Sequence, residues 1–326
     1  MRKVPQFFIA MVLAILFTVA LIYITLEVPR VINAVLLNAF PEYGAGEWSE
    51  TATMLESLRP FGYISFTVTL ILILAGFVTK RSKLATLGSI SLFLPTFGYF
   101  AFTMFFLAGI GVLRVVWFPW LDLSRNILRL GDVVYLPYIF LSFLAMPVTW
   151  ITGAAPTDMN IPLSLIIMMS GLVVFLLGTI TWLYGRFTGL KIIDLWIYRY
   201  SRHPQYLGFL LWSYGLLLLV TFFGAPKGGY VPPPSLAWLI SALTIIGVAL
   251  HEENTMAEEY GEEYVRYRGN TSFMLPLPKQ LSSLVVAPAR ALLKKNWPEN
   301  GKEVAFVIIV YGVVLVLSSL PSILFF

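Results

Sequence analysis

The chain is predicted to be all-α, a polytopic transmembrane helix bundle of about eight spans. Composition is the first reason: 58% of the 326 residues are hydrophobic and only 12% are charged, against roughly 25% charged in a soluble domain. Mean hydropathy is +0.82. The second reason is spacing. Apolar stretches able to cross about 30 Å of hydrocarbon run near 6–26, 61–79, 86–112, 133–153, 162–184, 205–223, 236–251 and 304–325.

The first stretch is too long for a secretory leader and has no small-residue cleavage site, so it is expected to stay as a helix. Residues 28–58 form a mixed connection with Glu42, Glu47, Glu50 and Glu56 and a short amphipathic helix near Val31–Phe40. Residues 225–235, with Gly228-Gly229 and three consecutive prolines from Pro232, read as a turn between spans six and seven. Span seven is short, but its helix continues into water through Glu252–Arg268. Residues 280–297 read as an interfacial segment with Arg290, Lys294, Lys295 and Trp297 at the headgroups.

No cysteine is present, which removes disulfides, thiolate ligands and a cysteine nucleophile. With His203 and His251 the only histidines, a His/Cys zinc site is not expected. The formal charge of +5 suits an anionic membrane surface and comes with no nucleic-acid motif. With eight crossings, lysine and arginine divide sixteen to six between the two faces. The richer face should be cytoplasmic. Arg2-Lys3 then falls on the poorer face, a conflict that one miscounted span, expected in the 84–118 region, would remove.

Two polar segments interrupt the apolar pattern. The first runs from Tyr198 to Gly208 and carries Arg199, Tyr200, Arg202, His203, Pro204, Gln205 and Tyr206. Proline is favoured at the first position of a helix, so a helix should begin at Pro204. Its free N–H groups would then lie beside Arg202 and His203 and receive a carboxylate or phosphate. The plainer alternative makes Arg202 and His203 headgroup anchors. The second segment begins at His251-Glu252-Glu253 and carries Tyr260, Tyr264 and Tyr267 before Pro276. Adjacent carboxylates at the C-terminal end of a membrane helix need a cationic partner, either a ligand or Arg202. The alternative is a solvated acidic cap with interfacial tyrosines.

Together the segments resemble the integral membrane methyltransferases that include isoprenylcysteine carboxyl methyltransferase and the phospholipid methyltransferases. The resemblance rests on Arg202-His203-Pro204-x-Tyr206-x-Gly208, on Gly215, on Glu252-Glu253, on Tyr260-Gly261-Glu262-Glu263-Tyr264-x-x-Tyr267 and on Pro276. It divides the chain into N-terminal helices at 1–158, a methyltransferase core at 159–278, and an interfacial segment with a final helix at 279–326. It implies S-adenosyl-L-methionine as cofactor, contacted by Tyr198, His203, Pro204, Gln205, Tyr206, Glu252 and Glu253 and capped by the cytoplasmic C-terminal segment Glu252–Pro276.

On chemical grounds, the helix start at Pro204 is assigned to the cofactor carboxylate with Arg202 assisting. Tyr206 is assigned to the sulfonium, where a cation over an aromatic ring gains about 0.5–2 kcal/mol. Glu252 or Glu253 is assigned to the ribose or ammonium, and Gly208 to close backbone approach. Glu253 is also the candidate base for an ammonium acceptor.

Three departures bear on the acceptor. Residues 244–250 lack the arginine that prenylcysteine enzymes carry before the glutamates, and span five lacks the Gly-x-Gly of the phospholipid enzymes. Trp196-Ile197 stands where a glycine is usual. The expected acceptor is a membrane lipid or isoprenoid head group, not a prenylcysteine carboxylate. Oligomeric state is left open. Two other classes compete: NADPH-dependent sterol reductases, which share the architecture but whose block reads Arg-His-x-Asn-Tyr where this chain has Pro204-Gln205-Tyr206, and a transporter or non-catalytic membrane protein, which charges inside paired broken spans would support.

Overall fold

A computed structural model describes residues 3–36, 48–79, 81–100, 106–107, 110–111, 116–124, 126–223, 234–295 and 297–325. The described chain is a helix bundle. Its elements are α1 (Lys3–Leu36), α2 (Trp48–Val78), α3 (Ser82–Phe100), the two-residue antiparallel strands β1 (Phe106–Leu107) and β2 (Ile110–Gly111), α4 (Phe118–Leu123), α5 (Leu136–Thr152), α6 (Asn160–Phe187), α7 (Pro204–Phe223), α8 (Ser235–Asn270), α9 (Lys279–Leu293) and α10 (Gly301–Phe325). Short 3-10 turns precede α5, α6 and α7.

Among the described residues, seven helices are long and apolar enough to cross a membrane. Of the expected stretch at 86–112, α3 covers the residues as far as Phe100, and the paired strands lie at Phe106–Leu107 and Ile110–Gly111. The amphipathic helix expected near 31–40 is, as far as Leu36, a continuation of α1. Residues 37–47, with Glu42 and Glu47, and the glycine-proline turn at 224–233 lie outside the described residues.

The chain divides into two compact units. The first comprises Met1–Leu21, Met169–Trp212 and Ile245–Val310. In it, Ala10 and Ala14 of α1 pack on Leu183 of α6, flanked by Leu13, Leu176, Ile180 and Tyr184. Between membrane helices the driving force is close van der Waals packing, which small residues permit. Gly208 does this for α7 and α6: a Cβ there would lie 2.5 Å from the backbone nitrogen of Phe175. A second cluster, centred on Leu207, Ala249 and Met274, joins α7, α8 and the segment after α8. The Gln6 amide donates to the Phe187 carbonyl at 3.0 Å. The start of α1 and the end of α6 therefore occupy the same end of this unit.

The second unit comprises Ile22–Met168, Ser213–Thr244 and Tyr311–Phe326. Here α2 and α3 form a hairpin, and Asp122 near the end of α4 returns to the middle of α2. It accepts from Tyr63 at 3.0 Å and pairs with Arg59. Asp132 is the polar anchor of the unit. It accepts from Ser235 at 2.7 Å, Arg129 at 3.1 Å and Ser322 at 3.2 Å, which ties the 3-10 turn before α5 to the start of α8 and the end of α10.

Tyr138, near the start of α5, donates to Asn160, the first residue of α6, at 2.5 Å. Among the described residues the seven candidate spans include Ile127–Thr152 and Pro156–Phe187 and none within 84–118, the region in which the sequence expected the miscounted span.

Candidate functional site

The site forms within the first unit, where the start of α7 meets the end of α8. Helix α7 begins at Pro204, as the missing N–H of proline favours. The N–H of Leu207 already bonds to the carbonyl of His203, so the helix is wound from its first turn. Glu252 and Glu253 lie on α8 one helical hairpin later in the chain, and they divide their partners. Tyr206 donates its hydroxyl to Glu252 at 2.7 Å. Arg202 and His203 both turn to Glu253: Arg202 Nε reaches Oε1 at 2.5 Å and Nη2 reaches Oε2 at 3.1 Å, while His203 Nε2 meets Oε1 at 3.0 Å.

The Arg202–Glu253 pair is deeply buried, with side-chain exposures of 4% and 0%. Such a pair persists only if the remaining donors are satisfied. Nη1 of Arg202 donates to the Arg268 carbonyl at 2.6 Å and also to the Thr271 carbonyl. Its guanidinium lies 5.2 Å from the Trp297 ring and 5.8 Å from that of Phe273. The backbone N–H of Arg202 donates to Ser272 at 3.0 Å, and Ser201 bridges to Ser272. One side chain thus holds α7, α8 and the segment after α8 together. Asn270-Thr271-Ser272, a sequon by pattern, is part of this lock.

The segment reaches Arg202 because α8 breaks at Gly261, where φ is 56° and ψ is −133°. Only glycine takes up that conformation readily. Beyond the break Tyr264 is buried, and Tyr267 donates to the Tyr198 carbonyl at 2.7 Å. Tyr198 is itself buried and donates to Gln205 at 3.1 Å. Burial pushes its phenol well above its ordinary pKa, so it stays a neutral donor. Tyr260 remains outside this network and does not join Tyr264 and Tyr267 in lining it.

Tyr198, Arg202, His203, Pro204, Gln205, Tyr206, Gly208, Glu252 and Glu253 lie in or beside this cluster, whereas Gly215 packs on Met168 in the second unit. The division of labour also differs. Arg202 makes four side-chain hydrogen bonds to protein partners and is buried with Glu253, so it is not available to a ligand carboxylate. Glu253 is enclosed, with both oxygens bonded, and presents no free oxygen to a substrate. Glu252, Tyr206, Gln205 and His203 are the partly exposed members. The His203 ring stacks on Tyr206 at 5.7 Å. Gly208 faces α6, so its close approach serves helix packing. Trp297, expected at the headgroups, instead stacks on Arg202 and Arg268, at 5.2 and 5.3 Å.

Two participants escaped the sequence reading. Phe273 sits edge-on to His203 at 5.2 Å. Trp196 has φ of 45°, the left-handed region that bulky residues avoid. Its ring stacks on Tyr184 at 5.2 Å and meets Phe7 of α1 edge-on at 5.8 Å, contacts that offset the backbone strain. The signal for Trp196 was present, since it stands where a glycine is usual.

Two buried polar atoms of the cluster, Ser201 Oγ and Asn254 Nδ2, have no protein partner. Each is adjacent in sequence to a member of the Arg202–Glu253 pair. No family model, no curated protein and no solved structure matches the chain.

Proposed function

We infer that this chain is an integral membrane methyltransferase that uses S-adenosyl-L-methionine and acts on a lipid-like or isoprenoid acceptor. One observation carries the reading. Two polar blocks about fifty residues apart in the sequence meet in one hydrogen-bonded cluster at the ends of two adjoining membrane helices. The donor set fits the cofactor in kind. The first turn of α7 offers N–H groups and a positive dipole end to a carboxylate. Glu252 offers an acceptor to an ammonium or a ribose hydroxyl, and Tyr206 a ring face to a cation. Bound there, the cofactor would supply an electrophilic methyl group for in-line displacement.

What this chain's own residues contribute is orientation. Tyr206 fixes Glu252, Tyr198 fixes Gln205, and the Arg202–Glu253 pair with His203 holds the segment after Gly261 over the start of α7. Positioning of this kind accounts for much of the rate in a displacement. The catalytic roles first assigned to Arg202 and Glu253 become positioning roles. Glu252 replaces Glu253 as the carboxylate able to take a proton from an amine acceptor.

The cluster belongs to the cytoplasmic face in this reading. Within the first unit the start of α1 lies at the site's end. Arg2-Lys3 and the basic residues of the functional segments then share a face, as positive-inside placement demands.

The test is binding of labelled S-adenosylhomocysteine against NADPH to detergent-purified protein. Saturable binding of the first, weakened in Tyr206→Phe and Glu252→Gln by about 1–3 kcal/mol, is expected. Binding of NADPH alone would replace the reading with a reductase, and binding of neither would leave a non-catalytic membrane protein. For the acceptor, label from S-adenosylmethionine incubated with a membrane extract should partition into lipid. Label found only in water-soluble products would overturn the lipid acceptor.

A further inference from the structure

Helix α9 is too short to span a bilayer, and its surface is sorted. Leu281, Leu284, Val285 and Leu292 are exposed, and they recur with Pro288 at i, i+3, i+4, i+7 and i+11, a single apolar stripe. Arg290 lies on the opposite side, with Lys294 at the helix end, and both are exposed. Neither has an ion-pair partner among the described residues, whereas nearby Lys295 is held by Glu299 at 2.6 Å and Glu303 at 3.1 Å. Val286, Ala289 and Leu293, on a third side, are partly covered by the protein. An exposed apolar stripe backed by unpaired cations is the pattern of a helix lying in the plane of a bilayer surface.

Both flanks of α9 lead to the same residue, Arg202. Before it, the Thr271 carbonyl, the Ser272 carbonyl and Phe273 contact Arg202. After it, Trp297 stacks on the Arg202 guanidinium at 5.2 Å. Helix α9 is therefore a loop thrown out between two anchors that meet on the buried Arg202–Glu253 pair. Anything that holds α9 down stabilises both anchors at once.

We propose that α9 is an anionic-lipid-reading helix: it docks its apolar stripe into a negatively charged leaflet through Arg290 and Lys294, and that docking orders the closing segment around Arg202. The proposal stands independently of the methyltransferase reading, because it concerns only the lock and the bilayer. Each basic residue near an anionic surface contributes about fivefold to docking, so the two together contribute about twenty-five-fold.

The absence of cysteine makes the test direct. An environment-sensitive fluorophore is attached at Leu284→Cys, and separately at Ser283→Cys on the polar side. The full chain is placed in nanodiscs of phosphatidylcholine, with or without phosphatidylglycerol. Quenching by a lipid-borne quencher reads docking, and amide exchange at 271–273 reads the lock.

The expected result is strong quenching at 284 and weak quenching at 283 in anionic discs, with slowed exchange at 271–273. In R290Q/K294Q the docked-to-free ratio should fall about twenty-five-fold. Equal quenching at 284 in both lipids, or water exposure of 284 in both, would overturn anionic-lipid recognition. Unchanged exchange at 271–273 while 284 docks would overturn the linkage to Arg202. Thermal unfolding matching that of the parent chain identifies variants that keep their fold.

Discussion

At the scale of single residues, the decisive feature is that Arg202 and Glu253 satisfy each other. A buried charge pair contributes little net stability over an apolar pair of the same shape, yet removing one partner strands the other. Arg202→Ala should therefore destabilise the closing segment by about 3–5 kcal/mol. The double change Arg202→Met with Glu253→Leu should be milder than either single change. Thermal unfolding in detergent, with limited proteolysis between 271 and 278, measures both, and additive single effects would contradict a direct pair.

Tyr198 makes a second residue-scale prediction. Its folded-state pKa is raised by burial, so its contribution to stability is complete below the unfolded value of about 10. That contribution is lost as pH rises above it, because the unfolded chain ionises first. Parent protein should lose stability between pH 9 and 11 (about one unit either side of that value) more steeply than Tyr198→Phe. Parallel melting curves would show that Tyr198 titrates normally.

Among the elements, two glycines control how helices meet. Gly261 breaks α8 with a positive φ, and a Cβ added there would meet nothing within 4 Å. Any penalty of Gly261→Ala is thus backbone strain alone, about 1–3 kcal/mol. It should appear as faster amide exchange over 262–273 with α7 unaffected. Gly208→Ala differs in kind. Its Cβ would meet Phe175 backbone at 2.5 Å, so α6 and α7 must part, at a cost of about 1–3 kcal/mol. The signature is a lower melting temperature for the whole unit. Helix α1 belongs to the site through Trp196: its aromatic contacts with Tyr184 and Phe7 compensate a left-handed backbone.

For the whole molecule, sidedness is the testable property. Val4 is exposed at the start of α1, and the connection containing Lys191 lies at the same end of the first unit. Cysteines introduced singly at Val4 and Lys191 should react with a membrane-impermeant thiol reagent from the same side, the cytoplasmic one. Labelling from opposite sides would return the chain to the eight-crossing topology read from hydropathy.

The sequence by itself determined the membrane class, the helical architecture, the start of α7 at Pro204 and the two blocks that form the site. Each of these follows from local physics: apolar length, the missing proline N–H, and charges that cannot be left alone in hydrocarbon. Only the tertiary structure decided which glutamate faces inward, since Glu252 and Glu253 are equivalent in composition and differ only by the rotation of one residue along α8. It also decided that α1 begins at the site's end. That outcome depends on a contact between distant segments, Gln6 with Phe187, and hydropathy along a chain carries no record of which segments meet.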